Sequence, residues 1–260
     1  MTNQNIVTND IPPITEQERH CCNPEVIAED ANHPDELKFC FNIRVASNDS
    51  FYADRLTCSP LTRSDSICSS SGVREQFNIL TAYIDGNNVY GSDDTRARGL
   101  RTMTEGLLKT HRLGPTLPTA TVTGLSQGIT DLGEELVAGD IRATEQPGLA
   151  SLHSLFLNEH NRIAREVKLQ NTTLSDEDIY QLTRTAVIAQ LQNIVYSEFL
   201  PLVLGPQEMQ RHNLTLPDGG NTAYNSSIDT TVSNEFATFA FRFGHSLVPN
   251  FFEPSKKPEQ

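Results

Sequence analysis

Leu149-Ala-Ser-Leu-His-Ser-Leu-Phe-Leu-Asn-Glu-His-Asn-Arg-Ile-Ala-Arg-Glu-Val167 is the stretch from which the fold class is read. Leu149, Leu152, Phe156, His160, Ile163, Ala164 and Val167 recur at steps of three and four, one face of an amphipathic helix. A second helix opens at Ser175, with Asp178 three residues on as a capping-box partner and further acidic residues in its first turn. It runs through Ile179, Leu182, Ala186, Ala189, Gln190, Gln192 and Ile194 towards Pro201, and Leu204-Gly-Pro206 closes the region. A third helix fits residues 233–245, where Phe236, Phe239, Ala240 and Phe243 make one aromatic stripe. Upstream, residues 110–148 carry Pro115, Pro118 and Pro147 among Thr and Gly with little helical pattern, and read as a long surface connection. Phe77, Ile79, Leu80, Tyr83 and Ile84 form a short ordered element that ends at the turn Asp85-Gly-Asn-Asn88. There is no internal repeat and no useful strand alternation. The expected body is mainly α.

At 260 residues the chain is long enough to bury a sizeable core. Its 33 acidic and 20 basic residues give a net charge of −13. That balance argues against nucleic-acid binding, which needs a basic footprint, and leaves room for metal cations. The cleanest apolar stretches, such as Leu202–Leu204, are too short for a bilayer, so the sequence predicts no transmembrane segment and a soluble chain. Motifs for nucleotide binding and serine hydrolysis are absent.

All five cysteines, Cys21, Cys22, Cys40, Cys58 and Cys68, lie in the first 68 residues. Such a cluster without zinc-type spacing reads as a disulfide-stapled, loop-rich segment over residues 1–72. Sequons at Asn48, Asn171, Asn213 and Asn225 are compatible with a glycosylated, secreted protein. No signal peptide is visible at Met1, although cystines call for one. The expectation is therefore a fragment of a longer protein.

Several residues invite chemistry, each with a plainer account beside it. Asp140-Ile-Arg-Ala-Thr-Glu145 sets Arg142 three residues before Glu145, where the guanidinium would stabilise developing negative charge. The plainer account is a surface ion pair worth under about 1 kcal/mol. Thr81, Tyr83, Asp85 and Asn87 place oxygen donors at alternate positions before and within a Gly turn, a donor set suited to Ca²⁺, and an ordinary Asp-Gly turn explains Asp85 equally well. His153 and His160 lie seven apart, which is not zinc-helix spacing, and helix packing or a structural hydrogen bond accounts for both. His245 ends an aromatic segment after Gly244. It is either a helix-end histidine favoured by the dipole or an axial ligand to haem iron.

Taken together the segments resemble the animal haem peroxidases. The matching stretches are Leu80–Ser92, Gly139–Pro147, Leu152–Arg162, Tyr196–Gly205 and Asn234–His245, in family order and with family-like gaps from about residue 20 onwards. The resemblance implies a partial haem peroxidase domain over residues 1–260, with residues 1–72 the loop-rich cysteine segment and 73–260 the helical haem- and calcium-binding portion. His245 is similar to the proximal axial ligand of haem b. Arg142 resembles the distal arginine that polarises bound peroxide, and Glu145 the carboxylate that esterifies a haem methyl. Thr81, Tyr83 through its carbonyl, Asp85 and Asn87 match the calcium loop. Cys40 and Cys58 fall on family cystine positions with Cys21 and Cys22 as partners, leaving Cys68 unpaired or in an intermolecular disulfide.

The family's distal histidine lies in a motif ending His-Asp that this chain lacks. Met1 and Thr2 are expected to follow directly on that motif, and the asparagine that orients the proximal histidine is expected beyond Gln260. Gln146 stands where one branch of the family carries a methionine linked to haem, so that link cannot form here. The function implied is hydrogen-peroxide-dependent oxidation of halide or phenolic and tyrosyl donors, in secreted settings such as cuticle or chorion cross-linking or immunity. This chain by itself is expected to be weak or inactive. The alternative is a catalytically inactive relative used for adhesion or scaffolding.

Overall fold

The computed structural model describes residues 21–32, 38–50, 57–63, 66–67, 75–76, 78–125, 135–217 and 225–249. The chain divides into two compact units, one drawn from Met1–Asn78 with Asn234–Ala240, the other from Ile79–Ser233 with Phe241–Gln260.

In the first unit, helix α1 (Pro24–Ala31) is set by local chemistry. Asn23 caps it by accepting from the Glu25 N–H at 2.9 Å, and Pro24 fills the first helical position. The adjacent Cys21 and Cys22 tie the entrance of α1 to Cys40 and Cys58, as Cys21–Cys40 and Cys22–Cys58. Strands β1 (Ile43–Arg44) and β2 (Cys58–Ser59) pair antiparallel, and β3 (Ser66–Ile67) pairs with β4 (Glu75–Gln76). The buried Asp30 carboxylate accepts from the Phe39 and Cys40 N–H groups at 2.7 and 3.2 Å, so the end of α1 docks on the start of the hairpin. Among the described residues the cystines expected for residues 1–72 are present, whereas α1 and the two-residue strands were not expected. Cys68 lies outside the described residues.

In the second unit, helices α2 (Asn87–Tyr90), α3 (Asp94–Leu100), α4 (Ala120–Thr123), α5 (Pro147–Gln170), α6 (Asp176–Ile194) and α7 (Leu200–Arg211) follow in chain order. Ser175 makes the reciprocal capping box with Asp178 that the sequence predicts, and α6 packs antiparallel-connected onto α5 through the short turn at 171–175. Val195–Phe199 form one π-helical turn between α6 and α7, and Gly205 at φ 77° followed by Pro206 kinks α7. The run Asp176–Arg211 is long and apolar enough to cross a membrane by length and composition, yet its first half presents Ile179, Tyr180, Thr183 and Val187 to the protein interior. The core joins Val89, Tyr90, Leu100, Leu108, Leu117, Val137, Ala138, Ala143, Leu157, Tyr180 and Val187.

Two expectations change here. Residues 110–148 are more than a surface connection: Leu117, Val137 and Ala143 are buried, and the Val137 N–H donates to the Pro118 carbonyl at 2.7 Å. Leu117 and Ala143 stand singly among other residue types and Val137 lies in the three-residue run Leu136–Ala138, too little to leave a periodicity to read. The third helix is also shorter. Asn234–Thr238 form helix α8 and Ala240–Leu247 a 3₁₀ helix, while Phe236, Phe239 and Phe243 are all exposed.

Candidate active site

The turn at residues 81–88 is built around Asp85. The Thr81 hydroxyl donates to Asp85 Oδ2 at 2.8 Å and lies 3.4 Å from the Tyr83 carbonyl oxygen. The other carboxylate oxygen, Oδ1, accepts from the Asn87 N–H at 3.1 Å, which fixes the start of α2. Gly86 makes this possible at φ 69°, because a Cβ there would also sit 3.0 Å from the Tyr90 ring. Three of the four expected cation donors are therefore gathered: a hydroxyl, a carbonyl and a carboxylate. The fourth, the Asn87 side chain, is turned to Ser92, whose hydroxyl oxygen accepts from Nδ2 at 3.1 Å. Among the described residues no three His, Cys, Asp or Glu side chains cluster as a metal site, so this set contains one carboxylate.

The segment that carries Arg142 rests directly on α2. A Cβ on Gly139 would lie 2.3 Å from the Asn87 carbonyl oxygen, 2.5 Å from the Gly91 nitrogen and 2.7 Å from the Asn88 carbonyl oxygen. Only hydrogen fits between these backbone atoms. The Asp140 N–H donates to the Asn88 carbonyl at 3.1 Å, and Arg96 Nε donates to the Ala138 carbonyl at 2.8 Å. Loop, α2 and the Gly139–Asp140 backbone thus form one continuous support.

Asp140 in turn holds Arg142. Its carboxylate accepts from Arg142 Nε at 3.0 Å, Nη2 at 2.7 Å and the Arg142 N–H at 2.8 Å. Burial by itself would raise the Asp140 carboxyl; the bonds from Arg142, with the charges of Arg142 and His153, outweigh it and hold the group below the usual carboxylate range. The same hydrogen bonding keeps Arg142 protonated against burial, with the nearby Glu145 charge adding to it. The sequence singled out the Arg142–Glu145 spacing, whereas the bonded partner of Arg142 is Asp140. The Arg142 side chain stays 37% exposed, so the guanidinium is oriented yet open to a ligand. Gln146 then caps α5, accepting from the Gly148 N–H at 2.7 Å.

His245 lies in the 3₁₀ helix, exposed, with exposed Phe241, Phe243 and Leu247 around it in sequence. Around Gly244 the space a Cβ would occupy is open to at least 4 Å. Glu145 is also exposed. Among the described residues no hydrogen bond or ion pair joins His245 to the Arg142 turn.

His153 and His160 are both buried, as helix packing predicts. His160 Nε2 faces the Gly106 carbonyl at 2.8 Å; a carbonyl only accepts, so Nε2 carries the proton. Nδ1 is then bare and accepts from the Tyr90 hydroxyl at 2.9 Å. The Tyr90, His160 and Tyr180 rings pack edge to face or tilted, and Arg101 lies 3.8 Å over Tyr180 while pairing with Asp176 and Glu177. Neither Asp140 as the anchor of Arg142 nor this polar core was legible as such. The Asp-x-Arg spacing was the available signal for the first, and the hydrogen bonds of the second join residues 54 to 76 positions apart.

The family profile described as animal haem peroxidase matches residues 1–260. The chain belongs to the animal haem peroxidases. This haem peroxidase chain is 37% identical over 224 residues to myeloperoxidase of Homo sapiens, covering 82% of the chain and 29% of that relative. It is 40% identical over 228 residues to the peroxidasin homolog of Homo sapiens, covering 80% of the chain and 15% of the relative. Among solved structures it resembles peroxidase A from Dictyostelium discoideum, with a TM-score of 0.62 and 30% identity over 80% of this chain and 42% of that one. The haem peroxidase chain therefore spans about a third or less of the curated relatives it matches.

The donor chemistry of the described residues fits the group that the family name implies. His245 offers an accessible imidazole in a segment that also carries Phe241 and Phe243, and Arg142 a fixed, accessible cation. The Thr81, Tyr83 and Asp85 oxygens suit a hard cation.

Proposed function

We propose that the protein containing this chain is a secreted haem peroxidase that uses hydrogen peroxide to oxidise halide or phenolic donors. The observation that carries the reading is Arg142, oriented by three hydrogen bonds to Asp140 and still open to solvent. An arginine spent only on a surface pair has no need of a half-buried carboxylate fixed to a glycine-tight backbone. Haem b, when bound, supplies the oxidising equivalents that peroxide delivers and donors consume one electron at a time. His245 would hold its iron through the imidazole. Arg142 places a permanent positive charge where negative charge develops on peroxide oxygen, and its protonation is secured by Asp140. Glu145, exposed and close enough to act on Arg142, is the carboxylate available for an ester to the haem periphery.

Thr81, the Tyr83 carbonyl, Asp85 and Asn87 would bind Ca²⁺, with the Asn87 carboxamide turning from Ser92 to join. A bound ion would stiffen α2 and through it the Gly139–Asp140 backbone under Arg142. The two cystines fit an oxidising, extracellular compartment.

Haem titration of the protein, followed by its Soret absorption, tests the reading. Binding with an imidazole-ligand spectrum is expected, lost in His245→Ala. In a haem-loaded sample Arg142→Gln should slow the reaction with peroxide by about 10²-fold or more. Haem binding without any peroxide turnover in the complete protein would replace the enzyme by an adhesion or scaffold relative.

A further inference from the structure

Tyr90 and His160 meet in the core of the second unit and take no part in the chemistry assigned above. Tyr90 is 1% exposed and His160 0%, so water has almost no access to the contact between them. The phenol donates to His160 Nδ1 at 2.9 Å, and Nε2 donates to the Gly106 carbonyl at 2.8 Å. The imidazole is thereby neutral and held at both nitrogens, with its one lone pair aimed at a phenolic proton. Tyr180 packs against both rings. The Arg184 guanidinium lies 5.4 Å over Tyr90 and that of Arg101 3.8 Å over Tyr180, Arg101 being paired in turn with Asp176 and Glu177.

We propose that Tyr90 and His160 form a redox-active pair, in which one-electron oxidation of the phenol is coupled to transfer of its proton to Nδ1. The peroxidase reading enters only through the natural oxidant; the pair itself goes beyond it. The oxidant is a one-electron acceptor of high potential, the class to which haem belongs once peroxide has oxidised it. In the step the phenol gives one electron to that acceptor, which is reduced by one. The O–H bond breaks as an Nδ1–H bond forms on the imidazole lone pair. The products are a neutral phenoxyl radical and an imidazolium. Return of one electron sends the proton back.

The surroundings suit this step better than a hydrogen bond that only ties α2 to α5. Burial holds the Tyr90 phenol well above its ordinary range, so it is not ionised beforehand and gives up electron and proton together. Burial, with the Arg101 charge, also lowers His160 to about 4, so at rest the proton stays on oxygen. A phenol that has lost an electron is a far stronger acid than that imidazolium, so the electron decides where the proton sits. After the transfer no buried polar atom is orphaned: Nε2–H still donates to Gly106, and Nδ1–H donates to the radical oxygen. Tyr90 also ends α2, whose Asn88 carbonyl accepts the Asp140 N–H beneath Arg142. An oxidising equivalent that finds no donor at the Arg142 side therefore has a resting place one short helix away.

Photo-oxidation of the haem-free chain tests the pair directly. Tris(bipyridine)ruthenium(II) is excited with a cobalt(III) ammine as electron sink, and the sample is frozen for electron paramagnetic resonance. With ¹⁵N in the histidine rings, a phenoxyl signal coupled to ¹⁵N is expected, forming more slowly in D₂O. That component should be lost in Tyr90→Phe, whose fold is checked by circular dichroism. No ¹⁵N coupling in the unaltered chain, or an unchanged signal in folded Tyr90→Phe, overturns the proposal; the first of these needs no variant to fold. Light-driven radical at Tyr90 in a complete protein that binds haem but never turns over peroxide would count against the peroxidase reading alone and leave the pair supported.

Discussion

His160 shows how one residue ties stability to pH. Burial pushes its imidazole down to about 4; the Gly106 carbonyl bond opposes this, and the Arg101 charge adds to it. The folded value is depressed, so the unfolded chain takes up a proton as pH falls below about 6.5 while the folded chain stays neutral until about 4. This contribution is whole above pH 7 and is lost as pH falls through that window, to an extent of about 3 kcal/mol. Urea unfolding should therefore show a falling midpoint from pH 7 to 4.5. His160→Asn should be less stable at pH 7 but much flatter over the same range; an equally steep variant would locate the acid sensitivity in other groups. At Arg142 the residue-level lesson differs. Its spacing to Glu145 was visible in the sequence, but its hydrogen-bonded partner two residues before it was not separable from a surface pair without burial and distances.

Among elements, the junction of α2 with the Gly139–Asp140 segment is the most constrained. Backbone atoms of Asn87, Asn88 and Gly91 surround the place of a Cβ at Gly139, and none of them can rotate away as a side chain would. Gly139→Ala should therefore cost about 3 kcal/mol or more in stability, the upper range for overpacking. Because the same atoms follow the Asp85 turn, the substitution should also weaken binding of Tb³⁺, used as a luminescent stand-in for Ca²⁺. Unchanged Tb³⁺ affinity in a folded variant would separate the loop from the Arg142 support. Helices α5 and α6 were legible because each carries a periodic apolar face, and α6 also a start signal in the Ser175–Asp178 box. Helix α1 carries comparable signals in Asn23-Pro24 but is only 8 residues long, too short for its period to stand out from the loops around it.

For the molecule as a whole, the division of labour between covalent and packed stabilisation follows the two units. The described part of the first unit has only the short helices α1 and α8 and two-residue strands, and cystines that span 19 and 36 positions hold the part around α1 and β1–β2. Each such link is worth about 3 kcal/mol through the entropy it removes from the unfolded chain. Reduction should raise hydrogen exchange across residues 21–63 while leaving the helical circular dichroism, which arises mostly from α5, α6 and α7, nearly intact. A collapse of the helical signal on reduction would show that the second unit depends on the cystines. By itself the sequence determined the mainly α class, the two long helices and the cysteine-stapled segment. With its five ordered stretches it also determined the family, since each of these is written in contiguous residues and local periodicity. Only the tertiary structure decided which cysteines pair, that Leu117, Val137 and Ala143 enter the core from an aperiodic segment, and that Asp140 anchors Arg142 over α2. Those facts depend on burial and on contacts between distant residues, and a one-dimensional pattern encodes neither until the chain has closed on itself.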